Sequence, residues 1–301
     1  MALPKLNAGD KVAVVATAKK LERSIEAGIQ VLESWGLEIV HGSYLHDASE
    51  YFSATDAKRL ADLQMMLDDS EIRAIIFARG GYGTTKILDL LDFREFKSSP
   101  KWTVGFSDLT SFLLQCGRFK QPAIHGPMVY TLGQDSNSDE VLRSILFGER
   151  KFQFDLRECP LTIEGKVDSE ITGGNLSLIY ESIGAANEIQ TAGKILFLEE
   201  IGEDYYAIDR MMNKLKRIGK LAELKGAIIG DFTNVKDGSG YFTQTLEDIL
   251  YAYFKDIDGP IAFGFPGGHE AQNMPLIFHH PVSMSVNQRQ ISLSYLDNKA
   301  S

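Results

Sequence analysis

A serine, a glutamate and a histidine stand where three strands are expected to end, and together they could form a hydrolytic triad. Ser107 follows the apolar run KWTVGF, Glu199 ends the run KILFL, and His269 lies in the loop GFPGGHEAQN. In a triad the serine attacks a carbonyl carbon, the histidine accepts the serine's proton, and the carboxylate orients the imidazole. These residue types predict nucleophilic catalysis by Ser107, with His269 as the base.

A glycine-rich stretch could supply the oxyanion hole that such a reaction needs. RGGYGTTK follows the apolar run RAIIFA, and its glycines allow a backbone N–H group to approach a reacting oxygen. Gly80, Gly81 and Gly83 are therefore candidates, and the N–H of Asp108 would face the oxyanion beside Gly81. A phosphate-binding loop needs a lysine directly after its last glycine, which is absent here. An ordinary strand-to-helix turn is the alternative.

Several of these residues have simpler explanations that the sequence leaves open. Ser107 and Asp108 would also make a good helix N-terminus. Glu199 and Glu200 are neighbours in a strand, so their side chains point to opposite faces and only one can meet a given histidine. His125 follows another strand and could be a base, but a hydrogen-bonded structural role is equally compatible.

Composition and charge exclude several classes of function. The chain has 301 residues, two cysteines and a formal net charge of −10, which disfavours nucleic acid and anionic membranes as partners. No stretch has the character of a secretory signal or the roughly 20 apolar residues that cross a bilayer. With no such signal and too few cysteines for a disulfide framework, we expect a cytoplasmic location. His279 and His280 have no cysteine or carboxylate at ligand spacing, so we expect no metal, and we expect no cofactor.

The apolar runs predict an α/β fold. In the first half, the runs KVAVVATA, LEIVHG, RAIIFARG, KWTVGFS and PAIHGP alternate with helical patterns. Strands that are apolar throughout and separated by helices indicate a parallel sheet, whose ligands bind beyond the carboxyl ends of the strands. We expect an N-terminal α/β domain over 1–150, a crossing segment over 151–172, and a C-terminal domain over 173–301 carrying the glutamate and the histidine.

An ordered set of motifs resembles the LD-carboxypeptidases, which include muramoyl-tetrapeptide carboxypeptidases and microcin-C self-immunity peptidases. The motifs are RGGYG, GFSDLT, HGPM, GGNLSLI, LFLEEIGEDYYAIDRMM and GGHEAQNMPL, between Arg79 and Leu276. The resemblance departs from the family pattern at Glu200, where the family usually has aspartate, and at IFHHPV, where a glycine is expected.

The resemblance implies a fold, a site and a substrate. It implies a flavodoxin-like N-terminal domain, a C-terminal domain built around a small β-barrel, and a homodimer. It places the triad at Ser107, Glu199 and His269 and the oxyanion donors at Gly81 and Asp108. The family releases a C-terminal D-amino acid, typically D-alanine, from murein tetrapeptides during cell-wall recycling. Such a peptide carries a carboxylate, for which Arg79 is a candidate partner, although a surface ion pair is the alternative.

Two other functions are compatible with the same residues. One is an immunity-type peptidase that cleaves aminoacyl or peptidyl nucleotide conjugates. The other is a non-catalytic protein that binds a small ligand through Ser107 and the glycine-rich stretch. A binding protein has no need for a serine, an acid and a histidine together, which favours an enzyme.

Overall fold

A computed structural model, which describes residues 3–238 and 240–296, contains two β-sheets. The polypeptide divides into two compact units. The first extends to Glu149 and includes Asn273–Ile277, and the second comprises Arg150–Gln272 and the described residues from Phe278 onward.

The sheet of the first unit has six strands, and the four strand pairs from β2 to β5 are parallel. Across the sheet, the strands are β2 (Glu38–His41), β1 (Lys11–Val15), β3 (Ile72–Phe77), β4 (Trp102–Gly105), β5 (Ala123–His125) and β11 (Leu276–Phe278). The apolar side chains of the central strands are buried, as expected for strands covered on both faces.

Helices connect these parallel strands, as parallel pairing requires. They are α1 (Glu26–Ser34), α2 (Asp56–Asp68), α3 (Thr85–Leu88), α4 (Arg94–Ser98) and α5 (Thr110–Arg118). A further helix, α6 (Ser136–Leu146), follows β5 and precedes the strands of the second unit. Thr55 caps α2 and Asp135 caps α6, each by accepting a bond from a first-turn backbone N–H.

The sheet of the second unit has seven strands and is mixed. In spatial order they are β10 (Ile261–Phe263), β9 (Gly226–Thr233), β8 (Ile195–Ile201), β7 (Gly165–Asn175), β12 (Pro281–Val286), β13 (Gln290–Tyr295) and β6 (Lys151–Asp155). The pairs from β10 to β7 are parallel, and those from β7 to β6 are antiparallel. The helices of this unit are α7 (Leu176–Glu181), α8 (Tyr205–Arg217) and α9 (Leu246–Phe254).

The two edges of this sheet are joined by the chain that follows β6. The N–H of Ile163 donates to the carbonyl of Ile261 at 2.9 Å, and the N–H of Ile261 donates back at 3.0 Å. Because Ile261 lies in the edge strand β10 and Ile163 lies shortly after the other edge strand, these bonds close the sheet on itself. The closure is the arrangement that a small barrel requires.

The expected fold class, an α/β chain with a parallel sheet in its N-terminal part, is confirmed. Two features were not anticipated from the sequence. Residues 151–155 and 165–175, interpreted as a crossing segment up to residue 172, form strands of the second sheet. A short strand late in the chain, β11, joins the first sheet beside β5. Among the described residues, none of the helices is long and apolar enough to traverse a lipid bilayer.

Candidate active site

Ser107 occupies a strained turn between β4 and α5. Its φ angle is 61°, in the left-handed region that residues other than glycine rarely adopt. The turn is a short 3₁₀ segment, Ser107–Leu109, that leads directly into α5. Such a conformation costs about 1–3 kcal/mol and persists only where the surrounding structure imposes it. In α/β-hydrolases, a strained strand-to-helix turn of this kind exposes the nucleophile.

The glycine-rich loop after β3 lies beside this turn, because β3 and β4 are neighbours in the sheet. A Cβ atom on Gly80 would lie 3.0 Å from Ser107 Cβ and 3.2 Å from its Oγ. Gly81 has a φ of 122°, and a Cβ there would lie 2.6 Å from Lys19 Cβ. The expectation that the two loops share one edge of the sheet is confirmed. A side chain would strain the backbone at Gly81 and would crowd Ser107 at Gly80.

The carboxylate of Asp108 links the Ser107 turn to the glycine-rich loop. Its Oδ2 accepts the backbone N–H of Thr84 at 2.9 Å, and the residue is 1% exposed. Burial raises the pKa of the Asp108 carboxyl, while hydrogen bonds from Thr84 and Gly83 and the charge of Arg59 oppose that rise. The sequence suggested a helix cap for this carboxylate and did not predict its contact with the glycine-rich loop.

Arg59 of α2 holds the same loop from its other side. Its buried guanidinium donates to the carbonyl oxygens of Gly83, at 2.8 Å, and of Thr17. The hydroxyls of Thr17 and Thr84 lie 2.8 Å apart, and the Phe52 ring lies under the guanidinium, 4.9 Å from its carbon. Sequence reasoning missed Arg59, because an arginine in an amphipathic helix is usually solvated.

In the second unit, Glu199 and His269 form a buried pair. His269 Nδ1 lies 2.7 Å from Glu199 Oε2, and the glutamate side chain is fully buried. Glu199 is placed by β8, and His269 follows Gly268, whose φ is 146°. A Cβ on Gly268 would lie 3.2 Å from Glu199 Cβ, so a glycine before the histidine lets the two side chains meet.

The pKa of His269 is raised above its ordinary value of 6.5. Burial alone would lower that pKa, because it disfavours the charged imidazolium. The hydrogen bond and negative charge of Glu199, with the charges of Glu200 and Asp231, outweigh burial. When Nδ1–H donates its hydrogen bond to the Glu199 carboxylate, Nε2 is the ring nitrogen that can act as a base.

Glu200 belongs to a different hydrogen-bond network. Its carboxylate accepts bonds from the backbone and hydroxyl of Ser177 at 2.7 Å each, from Asn175 at 3.0 Å and from the backbone of Ile201 at 2.8 Å. Burial raises its pKa. The question that the sequence left open is therefore answered, since the first glutamate of the pair meets the histidine.

Arg79 and His125, the other candidates, also lie in the first unit. The guanidinium of Arg79 donates to the carbonyl of Lys20 at 2.9 Å, pairs with Glu22 at 3.2 Å and stacks on Tyr130. His125 is fully buried and its ring meets Phe106 edge-on, with the ring centroids 5.9 Å apart. The contacts of Arg79 match the ion pair that was the alternative to a substrate role.

The remaining histidine candidates lie on the strand connection between β11 and β12. His280 Nε2 donates to the carbonyl of Leu296 at 2.7 Å, and His279 has a φ of 60°. Over residues 3–238 and 240–296, no three His, Cys, Asp or Glu side chains are grouped as metal ligands would be.

The candidate residues thus form two groups. Ser107, Gly81 and Asp108 are held together in the first unit, and Glu199 and His269 are paired in the second. The first group can present a nucleophile beside backbone N–H donors, and the second can take up a proton. These are the two halves of the chemistry of a serine hydrolase.

Comparison with known proteins agrees with this chemistry. Residues 12–126 match the model of the LD-carboxypeptidase N-terminal domain, and residues 168–284 match that of the C-terminal domain. Over 273 residues the chain is 36% identical to a probable murein peptide carboxypeptidase of Bacillus subtilis (strain 168), covering 88% of this chain and 85% of the other. It is 31% identical over 275 residues to a murein tetrapeptide carboxypeptidase of Pseudomonas aeruginosa, covering 87% and 89%.

Solved structures show the same fold. A muramoyltetrapeptide carboxypeptidase from Oxalobacter formigenes has a TM-score of 0.85 at 24% identity, covering 96% of this chain and 100% of that one. MccF in complex with glutamyl sulfamoyl guanosine has a TM-score of 0.86 at 17% identity, covering 99% of each. The predicted enzyme class, a carboxypeptidase, is confirmed by the family models and the relatives. The chain belongs to the LD-carboxypeptidase family.

Proposed function

We propose that this protein is a serine carboxypeptidase that hydrolyses the amide bond between an L-centre and a C-terminal D-amino acid, as in a murein tetrapeptide ending in D-alanine. Ser107 is the nucleophile, His269 the general base and Glu199 the group that orients the imidazole. The single observation that carries the proposal is the buried Glu199–His269 pair, because a binding protein gains nothing from a histidine whose pKa is raised by a buried carboxylate.

The proposed reaction proceeds in two steps. Ser107 Oγ attacks the carbonyl carbon, its proton passes to His269 Nε2, and the backbone N–H groups of Gly81 and Asp108 stabilise the negative oxygen. His269 then gives the proton to the leaving amine, which releases the D-amino acid and leaves an acyl ester on Ser107. In the second step His269 activates a water molecule, and hydrolysis of the ester restores the free serine.

The relatives support the proposed substrate. The proteins of B. subtilis and P. aeruginosa are named as carboxypeptidases of murein peptides, which supports such a peptide as the substrate here. A role in cell-wall recycling follows if the peptide is a tetrapeptide released from murein. An aminoacyl or peptidyl nucleotide conjugate is the alternative substrate.

We also propose a cytoplasmic location and a homodimeric assembly. Cys116 and Cys159 are both free thiols, as expected for a protein of the reducing cytoplasm. A homodimer is expected from the resemblance to the family, and light scattering of the purified protein would test it.

Release of D-alanine tests the proposed function. The protein is incubated with a tetrapeptide ending in L-lysyl-D-alanine or diaminopimeloyl-D-alanine, and with an aminoacyl sulfamoyl adenylate in parallel. We expect D-alanine from the peptides and no turnover of the adenylate. Ser107→Ala should abolish release, while Ser98→Ala, a change at an exposed serine of the same unit, should leave it intact. Turnover of the adenylate alone would replace the proposed substrate.

A further inference from the structure

Two buried charged side chains of the first unit hold a single peptide group of the glycine-rich loop at both of its polar ends. Arg59 Nη1 donates to the carbonyl oxygen of Gly83 at 2.8 Å, and Asp108 Oδ2 accepts the N–H of Thr84 at 2.9 Å. Arg59 and Asp108 are each 1% exposed. We call these two side chains the loop clamp.

The backbone of the loop is shaped to fit the loop clamp. Gly83 has a φ of 141°, and a Cβ there would lie 2.8 Å from Arg59 Nη1, so the loop leaves room for the guanidinium. Arg59 also donates to the carbonyl of Thr17, which fixes the loop to the end of β1. Burying an ion costs several kcal/mol before its partners offset the cost. A turn that only had to connect β3 to α3 would not need two buried charges.

Asp108 connects the loop clamp to the proposed oxyanion hole, because its backbone and its side chain both contribute. Its backbone N–H is one proposed oxyanion donor, and its carboxylate fixes the loop that carries the other donor, Gly81, two residues before Gly83. The distance between the two N–H groups therefore depends on the clamp. Donors that are already in place act without reorganisation at the moment of reaction, and a misplacement of about 1 Å can cost about 100-fold in rate.

We propose that Arg59 and the Asp108 carboxylate are positioning residues that set the spacing of the oxyanion hole, an inference that rests on the proposed function. Both side chains are buried, so the proposed role acts through the loop and not through contact with substrate. Weakening the clamp should leave substrate binding in the ground state intact and should weaken stabilisation of the tetrahedral intermediate.

The test compares binding of the ground state with binding of a tetrahedral adduct. In Arg59→Lys and Asp108→Asn we would measure kcat, KM, the affinity for the tripeptide product, and the affinity for a peptide aldehyde that adds to Ser107 as a hemiacetal. We expect kcat and aldehyde affinity to fall about 10- to 100-fold together, with KM and product affinity changed less than about threefold. If Arg59→Lys does not fold, the nearly isosteric Asp108→Asn provides the same comparison.

Lys101 offers a matched control from the same unit. Its buried ammonium donates to the carbonyls of Met66 and Leu67, at the C-terminal end of α2. Arg59 lies in the first turn of the same helix. Lys101→Met should lower the melting temperature while the folded enzyme keeps its kcat and aldehyde affinity. Clamp variants that are folded and retain wild-type kcat and aldehyde affinity would overturn the proposal, as would an equal loss of kcat in Lys101→Met.

A separate readout distinguishes failure of the clamp from failure of the proposed substrate. An organophosphonate that labels Ser107 needs the oxyanion hole but no peptide. If the wild-type protein is labelled without releasing D-alanine, the proposed substrate is wrong. Labelling about 10-fold slower in the clamp variants would still support the clamp, whereas equal rates would refute it. Absence of labelling in the wild-type protein would refute both.

Discussion

Glu199 and Glu200 are consecutive residues of β8, yet their carboxylates belong to separate networks. Glu199 Oε2 meets His269 Nδ1 at 2.7 Å, whereas Glu200 accepts bonds from Ser177 and Asn175. The alternation of a β-strand sends neighbouring side chains to opposite faces, so one strand end supplies both a partner for the histidine and an anchor for the start of α7. The two glutamates should therefore respond differently to the same substitution.

Replacing each glutamate with glutamine tests this division. Glu199→Gln should lower kcat about 10³- to 10⁴-fold, because the amide no longer stabilises the charged imidazole or fixes its tautomer. Glu200→Gln should instead cost about 1–3 kcal/mol of stability. The amide NH₂ of the glutamine would face one of the groups that now donate to the carboxylate, and that hydrogen bond would be lost. D-alanine release and thermal unfolding of both variants provide the comparison. Similar kcat losses in the two would contradict it.

The raised pKa of His269 predicts the pH dependence of the reaction. The base must be neutral, so kcat/KM should fall as the pH drops through a pKa above 6.5. The contribution of His269 to folding stability changes with pH in the opposite direction from kcat/KM. A histidine whose pKa is raised by folding contributes stability fully below its unfolded pKa, and that contribution is lost as the pH rises through the folded pKa.

The acid limb of the profile should move when the carboxylate is removed. In Glu199→Gln the residual activity should have its acid limb at lower pH than the wild type, because the negative charge that raises the pKa of His269 is gone. Profiles of kcat/KM for both proteins would show the shift. An unchanged limb would mean that His269 is not the group titrating.

The left-handed backbone of Ser107 predicts a difference between two inactive variants. Ser107→Gly relieves the strain of the positive φ, and Ser107→Ala retains it. Both should lose activity, but the glycine variant should be more stable than the alanine variant by about 1 kcal/mol. Differential scanning calorimetry would measure the gap. A less stable glycine variant would show that the turn is not strained.

The proposed oxyanion donor Gly81 can be tested against a glycine elsewhere in the same unit. A methyl group at Gly81 would lie 2.6 Å from Lys19 Cβ, whereas Gly9, with a φ of 90°, has nothing within 4 Å. Gly81→Ala should displace the backbone and lower kcat about 100-fold. Gly9→Ala should cost about 1 kcal/mol of stability without affecting kcat. Equal kcat in the two variants would argue against Gly81 as a donor.

Sequence patterns predicted the strands of the first sheet and the candidate residues that lie next to those strands in the chain. The apolar runs located β1 to β5. The serine after KWTVGF was by itself compatible with an ordinary helix start, and only its combination with Glu199, His269 and the glycine-rich loop predicted a nucleophile. The strand pattern could not choose between Glu199 and Glu200, because alternation fixes opposite faces but not which face a distant loop covers. Only the family resemblance favoured Glu199. Only the fold brings Gly268 and its histidine against β8.

The clamp could not be predicted for a similar reason. Arg59 has the spacing of a helix residue, and nothing in DAKRLADL distinguishes a solvated arginine from one that donates to a loop 24 residues later. Asp108 looked like a helix cap, because aspartate after serine commonly serves that purpose. Both roles arise from contacts between elements that are separate in sequence.

The position of β11 has a consequence for how the chain is made. The first sheet takes Leu276 and Ile277 beside β5, although the rest of that unit is complete by Glu149. During synthesis the earlier strands must therefore wait for more than a hundred further residues, with one side of β5 unpaired. Open strand edges attract other chains, so a fragment ending near residue 150 should aggregate where the whole chain does not. The nascent protein is thus most prone to aggregation after β5 has emerged and before β11 has been made.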